Sequence, residues 1–186
     1  MKYFVALGSN QGDPLANLVA ALRRLPGLAG TSSIYLTSPV EMEPDAAPVL
    51  NAVAELVFQE GPHELWSRLS SIEDSMGRLR PYRNAPRTID LDIVAGCGVQ
   101  LDDEVLTVPH PRARERLFVL VPLAELDPAV ATEVAGFDFD AARVGRDEYR
   151  ARFGDQAVEV FMSAQELAER LTAGGSGEGS SLAQSE

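Results

Sequence analysis

The chain has very little lysine, cysteine and histidine. Lys2 is its one lysine, so arginine carries almost all of the positive charge in a sequence whose net charge is −12. An acidic chain of this kind is a poor candidate for general nucleic-acid or anionic-membrane binding, because both favour basic surfaces. One cysteine, Cys97, excludes a disulfide framework and a cysteine-based zinc site. With only His63 and His110 as histidines, any metal ion would be held largely by carboxylates.

Long apolar runs and a P-loop are also missing from the sequence. No run approaches the roughly 20 apolar residues that span a bilayer, and residues 1–3 lead directly into a strand-like segment rather than a signal peptide. We therefore expect a cytoplasmic protein with no membrane partner. Lys2 is not part of a G-x-x-x-x-G-K-[ST] motif, which excludes a P-loop kinase. The segment 8–12 resembles a phosphate loop only loosely.

The order of predicted elements indicates an α+β protein. Apolar spacing and turn residues give strand 2–7, a helix from Asp13-Pro14, strand 32–37, strand 51–58, a helix from Gly61-Pro62 and strand 88–94. A strand or hairpin over 99–108 and a mostly helical segment over 117–126 follow. This β-α-β-β-α-β order is that of a ferredoxin-like sandwich, an antiparallel sheet with helices packed on one face.

The length of 186 residues and a hydrophobic share of 45% suit one domain with a real core. We predict a core over 1–128 and a C-terminal extension over 129–173 that packs on it, with one helix over 164–171. The last segment, 174–186, is rich in glycine and serine and is expected to be a disordered tail.

Two aspartates lie one residue apart on a predicted strand. Asp90 and Asp92 would point to one face of this strand, with their Cα atoms roughly 6.5–7 Å apart, and the apolar residues that alternate with them would point to the other. Their side chains can converge on one hard cation or on two bridged ones, and Mg²⁺ takes such sites together with water and substrate phosphates. The alternative is a polar strand face that simply meets solvent, although adjacent like charges favour a compensating cation.

Four arginines precede these aspartates with no acid among them: Arg78, Arg80, Arg83 and Arg87. They could merely solubilise a loop or neutralise nearby acids. Carboxylates, Mg²⁺ and several guanidinium groups are, however, the usual equipment for a polyphosphate, because the cation bridges phosphate oxygens and the arginines offset charge that shifts during transfer. His110 sits between two prolines, and a lone histidine is more often structural than catalytic. A second arginine cluster follows it, however, and favours an anion facing this histidine.

Four motifs occur in a recognisable order: A-L-G-S-N-x-G-D at 6–13, L-N-A at 50–52, P-R-T-I-D-L-D-I at 86–93 and L-T-V-P-H at 106–110. Together they resemble the 6-hydroxymethyl-7,8-dihydropterin pyrophosphokinase family of folate biosynthesis, over about residues 3–128. The resemblance implies a ferredoxin-like fold and transfer of the β,γ-diphosphate of ATP, as one unit, to the hydroxymethyl oxygen of the pterin, with release of AMP. It also implies two Mg²⁺ ions and small-molecule substrates, while protein partners stay unknown.

The resemblance assigns roles to individual residues. Those implied in catalysis are Arg78, Arg87, Asp90 and Asp92, of which Asp90 and Asp92 are implied to bind the metal. Those implied at the ATP site are Glu73, Arg78, Arg80, Arg87, Thr107, His110 and Arg116. Those implied in the pterin pocket are Thr37, Val40, Asn51, Asp90 and Phe118. In that pocket Asn51 would hydrogen-bond the edge of the ring and Phe118 would stack on its face.

The chain departs from the family pattern at a few positions. Val49 stands where members commonly carry an aromatic residue, and Asn84, Ala85 and Glu41 replace a tryptophan and two glycines. Two alternatives therefore accompany the pyrophosphokinase hypothesis. One is diphosphate transfer to another acceptor, because Val49 leaves the pocket more open. The other is a non-catalytic ferredoxin-like module that binds a nucleotide or a protein, which would not need the paired aspartates.

Overall fold

The computed structural model of the protein describes residues 1–37, 47–77 and 87–173. The strands in these ranges are β1 (Lys2–Ser9), β2 (Leu28–Thr31), β3 (Ile34–Thr37), β4 (Val49–Val57), β5 (Asp90–Gly96), β6 (Leu101–Asp102), β7 (Thr107–Val108) and β8 (Val158–Met162). The α-helices are α1 (Pro14–Leu22), α2 (Pro62–Ser75), α3 (Leu117–Leu126), α4 (Pro128–Ala135), α5 (Asp147–Phe153) and α6 (Ala164–Ala173). None of the helices in these ranges is long and apolar enough to cross a membrane.

Six strands form one antiparallel sheet. Its order is β5-β1-β4-β3-β8, and β2 pairs with the part of β4 that β3 leaves free. With β2 and β3 as two parts of one edge, the order β5-β1-β4-β3 is the ferredoxin-like arrangement, and the predicted α+β fold class is confirmed. The strands β6 and β7 form a separate hairpin within the predicted range 99–108.

The starts of α1 and α2 follow directly from the local sequence. The Asp13 side chain accepts a hydrogen bond from the Ala16 N–H at 3.0 Å, and Pro14 occupies the first helical position, where a missing N–H costs nothing. Pro62 likewise opens α2 after Gly61. Past the end of α2, Gly77 has a φ of 75°, a left-handed conformation that favours glycine.

The sheet buries apolar side chains on both of its faces. On one face, α1 and α2 pack residues such as Leu18 and Leu65 against Leu91 of β5. On the other face, α3 packs Leu120 against Phe4 of β1. The sequence indicated only the first of these two layers, because α3 is apolar around most of its circumference and shows no one-sided stripe.

The residues after 128 add structure to one edge of the sheet. The helix predicted over 164–171 is present as α6, which packs on α1. β8 pairs antiparallel with β3 and becomes the edge strand. The predicted division into a core over 1–128 and an extension over 129–173 stays a prediction, and the predicted tail over 174–186 lies outside the described residues.

Candidate functional site

One row of residues crosses four strands of the sheet. Gly8 of β1 lies opposite Asp90 of β5 on one side and opposite Asn51 of β4 on the other, and Asn51 lies opposite Tyr35 of β3. Residues directly opposite each other in an antiparallel sheet project to the same face. The predicted metal carboxylate and the predicted pterin amide therefore share one face, separated by a glycine.

Gly8 leaves a gap in the middle of this row. A Cβ atom at this position would lie 3.0 Å from Asn51 Oδ1 and 3.8 Å from Val49 Cγ1. The first distance is shorter than an ordinary van der Waals contact, so a larger residue would displace the Asn51 side chain. The glycine thus keeps open the space beside the Asn51 amide. In the sequence, only its position within the motif at 6–13 indicates that Gly8 belongs to the site.

Asp90 and Asp92 project from β5 to this face. Both are half-buried, and the two alternate with the buried residues Leu91 and Ile93. Asp90 Oδ2 forms an ion pair with a guanidinium nitrogen of Arg87 at 2.6 Å. Two carboxylates on one strand face fit a hard cation such as Mg²⁺. No group of three or more histidine, cysteine, aspartate or glutamate side chains in the described ranges could hold a metal, so substrate oxygens and water would have to complete the coordination.

The turn after β1 fixes the start of β5. The Asn10 N–H donates to the Arg87 carbonyl at 3.3 Å, and Asn10 Oδ1 accepts from the Arg87 N–H at 3.0 Å. The Ser9 hydroxyl donates to the Thr88 carbonyl at 2.6 Å. Asn10 Nδ2 is buried without a hydrogen-bond partner among the described residues. Asn10 therefore holds the backbone of Arg87 in place, and Ser9 holds that of Thr88. The loose likeness of segment 8–12 to a phosphate loop did not indicate this role.

The pterin-side residues on the sheet are already hydrogen-bonded to each other. Asn51 Nδ2 donates to Thr37 Oγ1 at 2.7 Å, and both residues are almost fully buried. Val49 lies opposite Thr37 in the β3–β4 pair, and its side chain borders the gap at Gly8. The departure from the family's aromatic residue at Val49 thus falls within the site itself.

Phe118 lies in the first turn of α3, the helix that covers this face. It is half-buried in the same apolar cluster as Phe4, and the Arg116 guanidinium lies over its ring at 5.4 Å from the ring centre. The start of α3 is fixed from the C-terminal region, because Gln156 accepts from the Leu117 N–H and donates to the Glu115 carbonyl, both at 2.9 Å. The sequence did not indicate this contribution of Gln156.

His110 is held next to β5 by its backbone. Its N–H donates to the Val94 carbonyl at 3.0 Å, and its ring Nδ1 accepts from the Arg112 N–H at 3.2 Å. Burial lowers the pKa of His110 below its ordinary value, although the nearby Asp92 opposes this shift. The ring is therefore neutral at pH 7, and because Nδ1 is an acceptor the proton is assigned to Nε2.

Two further residues implied at the ATP site already have partners in the protein. Thr107 lies on β7, and its hydroxyl donates to Asp102 across the hairpin at 2.9 Å. Glu73, near the end of α2, is 3% exposed, and its Oε1 accepts from the Leu91 N–H at 2.6 Å. Since Leu91 stands between the two aspartates, Glu73 ties α2 to the strand that carries them.

A carboxylate on α3 organises the outer part of the row. Glu125 accepts from the Ser33 N–H at 2.9 Å, from the Ser33 hydroxyl at 2.8 Å and from the Tyr35 hydroxyl at 2.9 Å. Burial and the hydrogen bond from its hydroxyl to Glu125 raise the pKa of Tyr35 well above its ordinary value. The sequence gives no sign of these contacts, because they join positions about 90 residues apart.

Comparison with known proteins identifies the family. Residues 4–128 match the family described as 7,8-dihydro-6-hydroxymethylpterin-pyrophosphokinase (HPPK). The chain belongs to the HPPK family. The resemblance drawn from the four sequence motifs is thereby confirmed.

Curated relatives of the chain include two bacterial pyrophosphokinases and a plant protein. The chain is 43% identical over 142 residues to the 2-amino-4-hydroxy-6-hydroxymethyldihydropteridine pyrophosphokinase of Bacillus subtilis. The matched residues cover 74% of this chain and 84% of the relative. It is 42% identical over 130 residues to the pyrophosphokinase of the same name from Methylorubrum extorquens, covering 67% and 82%. It is also 42% identical over 126 residues to the mitochondrial folate synthesis bifunctional protein of Arabidopsis thaliana, covering 66% of this chain and 23% of that longer protein.

Three residues that the HPPK resemblance assigns to the site lie outside the described residues: Arg78, Arg80 and Val40. The same holds for Arg83, Asn84, Ala85 and Glu41, which the sequence analysis also singled out. Of the described residues, Asp90, Asn51 and Thr37 converge in neighbouring strand positions, and Phe118 belongs to the helix over the same face. Thr107 lies apart from the sheet on the hairpin. The individual roles of all these residues stay predictions.

Proposed function

We propose that the protein catalyses transfer of the β,γ-diphosphate of ATP to the hydroxymethyl group of 6-hydroxymethyl-7,8-dihydropterin, with release of AMP. Membership of the HPPK family supports this activity, ATP as its co-substrate and a place in folate biosynthesis. The observation that carries the proposal at the site is the row Asp90–Gly8–Asn51, in which a carboxylate for the phosphate side and an amide for the pterin side flank an open position.

The pterin is proposed to bind on the Asn51 side of the row. Its flat ring carries hydrogen-bonding groups on the edge and an apolar face, which calls for convergent polar groups and an aromatic wall. Asn51 and Thr37 supply the polar groups on the sheet, and Phe118 supplies the ring on α3. Val40 is proposed to complete this pocket. The acceptor hydroxyl would then point toward β5.

The triphosphate is proposed to bind on the Asp90 side of the row. Asp90 and Asp92 would hold two Mg²⁺ ions, which would supply charge neutralisation for the phosphate oxygens. Arg87, whose backbone is fixed by the turn after β1, would offset charge that develops on the transferred group. We propose that Arg78 and Arg80 act beside it.

The remaining nucleotide contacts are proposed for residues around this face. The neutral His110 can donate a hydrogen bond from Nε2 to a phosphate oxygen, and Arg116 can neutralise charge at the start of α3. Thr107 is proposed as a contact from the hairpin. Glu73 is proposed to act indirectly. Its carboxylate accepts from the Leu91 N–H and thereby fixes the strand that carries the aspartates on either side.

Catalysis in this proposal needs no protein nucleophile. The protein positions the acceptor oxygen in line with the β-phosphorus and offsets charge as the bond to AMP breaks. A non-catalytic module would have no use for Asp90 and Asp92 on the face that also presents Asn51. We also propose that the protein is cytoplasmic and acts on small molecules, and that its catalytic core spans residues 1–128.

The test is to identify the nucleotide product. The purified protein is incubated with ATP, Mg²⁺ and 6-hydroxymethyl-7,8-dihydropterin, and the nucleotides are separated by anion-exchange chromatography. AMP that forms only when the pterin is present is the expected result. ADP instead of AMP would mean ordinary phosphoryl transfer. Nucleotide binding without turnover would contradict the proposed acceptor and direct attention to Val49.

A further inference from the structure

A cavity of about 420 Å³ lies away from the proposed catalytic site. It is bounded by residues that follow α1, by Phe58 after β4 and by one side of α2. These helices cover the sheet face that buries Leu91. Because Asp90 and Asp92 alternate with Leu91 on β5, they project from the opposite face. The volume is in the range of small-molecule sites, about 300–1,000 Å³.

The floor of this cavity is apolar and its rim is basic. Phe58 is 7% exposed and belongs to the core beneath the helices, and the half-buried Ile72 packs against the same core. Arg24 and Arg68 stand at the rim, and none of the described residues that line the cavity is an aspartate or a glutamate. In a chain with a net charge of −12, two arginines at one rim, of which Arg68 is paired with Glu64, form a locally basic edge.

Both rim arginines can turn toward a ligand at low cost. Arg68 pairs with Glu64 at 3.3 Å on the same helix, but exposed pairs of this spacing contribute little. The Arg24 guanidinium donates to the Ala20 carbonyl of α1, the helix that precedes it, at 3.5 Å, the limit of a hydrogen bond. A bidentate pair between a guanidinium and an anionic group of a ligand is stronger than either of these contacts.

Hydroxyl groups on α2 complete the chemistry of the cavity. The Ser71 and Ser75 hydroxyls both line it, and each donates its proton to a carbonyl of its own helix, at 3.0 and 2.8 Å. Their oxygens can therefore accept a hydrogen bond from a ligand. A matching ligand has an anionic group for the arginines, an apolar body and an N–H or O–H donor.

The same part of α2 reaches the catalytic strand. Ile72 and Ser75, which line the cavity, stand on either side of Glu73 along α2, and Glu73 accepts from the Leu91 N–H at 2.6 Å. Leu91 in turn separates the two proposed metal ligands on β5. A ligand that shifts this turn of α2 would move the carboxylate that braces the strand, giving the cavity a direct route to the other face of the sheet.

We infer that the cavity between α2 and the segment after α1 is a second ligand site, which takes a small aromatic or heteroaromatic acid bearing a hydrogen-bond donor and is coupled to the catalytic face through Glu73. The binding half of this inference is independent of the proposed function. The coupling half rests on the proposed use of Asp90 and Asp92.

The binding test uses 1-anilinonaphthalene-8-sulfonate, which combines a sulfonate, apolar rings and an N–H donor. Its fluorescence is titrated with the intact protein and with Arg24→Gln and Arg68→Gln variants. Each variant should raise the dissociation constant about tenfold or more, the effect of losing a charge-assisted hydrogen bond. Thermal unfolding confirms that the variants are folded.

Matched variants separate this site from general probe binding. Arg23→Gln removes the same charge one residue away, where the side chain instead contacts the Arg170 carbonyl on α6, and should leave the affinity unchanged. Glu64→Gln frees Arg68 and should leave the affinity equal or tighter. Equal losses in Arg23→Gln and Arg24→Gln would overturn the site. So would loss of binding on replacing the exposed Val160 by serine, which would place the probe on β8.

The coupling test measures binding of Mg²⁺–ATP by calorimetry with and without saturating probe. We expect the ATP dissociation constant to change about fivefold or more in either direction. The Arg24→Gln/Arg68→Gln double variant should abolish this change. An unchanged ATP affinity at full occupancy of the cavity would overturn the coupling. A protein without turnover but with arginine-dependent probe binding would refute the proposed function alone.

Discussion

Gly8→Ala places a methyl group in the open position between the two halves of the site. The new Cβ would lie 3.0 Å from Asn51 Oδ1, so the amide must move by a few tenths of an ångström. Asn51 Nδ2 donates to Thr37 Oγ1 at 2.7 Å, and this hydrogen bond opposes the movement. The variant therefore tilts or releases the group proposed to read the edge of the pterin ring.

The size of the effect follows from two contributions. A neutral hydrogen bond contributes about 0.5–1.5 kcal/mol, and fitting an extra methyl group into a packed site costs about 1–3 kcal/mol. Their sum, about 1.5–4.5 kcal/mol, corresponds to a loss of roughly 10- to 2,000-fold in kcat/KM for the pterin. The KM for ATP should change much less, because no Asp90 atom lies among the described atoms within 4 Å of the new Cβ.

Steady-state kinetics with each substrate varied in turn checks this expectation. Gly30→Ala is a matched control, because its Cβ would make ordinary contacts of 3.9 Å with Glu55 and Leu126, away from the site. Circular dichroism and urea unfolding report whether each variant is folded. If folded Gly8→Ala keeps its kcat/KM for the pterin within twofold of the parent, the proposed role of the open position is refuted.

Four other variants test separate parts of the structure. Asp92→Asn should abolish turnover and change the free energy of unfolding by less than about 1 kcal/mol, because the carboxylate is partly exposed; retained activity in the product assay would contradict the metal assignment. Arg87→Ala should lower kcat more than it raises the KM for ATP, and an effect confined to KM would indicate plain binding. Glu73→Ala leaves the buried N–H of Leu91 without its acceptor and should cost about 1–3 kcal/mol in urea unfolding; an unchanged midpoint would argue against the brace. Burial and a hydrogen bond to Glu125 on α3 raise the pKa of Tyr35 in the folded state. The contribution of Tyr35 to stability is therefore complete below about pH 10 and is lost as the pH rises toward the folded-state pKa. Tyr35→Phe should reduce this loss in the free energy of unfolding measured between pH 8 and 11, and a pH profile identical to that of the parent would contradict the assignment.

Features that depend on local sequence were predicted correctly. The start of α1 needs only Asp13 and Pro14, and both occupy the expected capping positions. The two aspartates of β5 share a face because strand alternation requires it, whatever the rest of the fold does. Four motifs in order were sufficient for the family, and the family sets the fold.

Features that depend on distant pairing were not predicted. β8 is mostly exposed along its length and shows no alternation, so its identity as a strand comes from pairing with β3, more than 100 residues earlier. The role of Gly8 also depends on strand pairing, because a glycine has no side chain whose chemistry could indicate a function. Only the register of β1 against its two neighbours shows that it stands between Asp90 and Asn51.

The row across the sheet also sets the distance between the two halves of the site. Neighbouring strands are held about 4.7–4.9 Å apart by backbone hydrogen bonds, so two strand steps set the distance from the Asp90 backbone to the Asn51 backbone at about 10 Å. This spacing is a property of the peptide backbone and not of any side chain. The separation between the two proposed halves of the site is therefore set by the sheet and does not depend on the sequence of the surrounding loops.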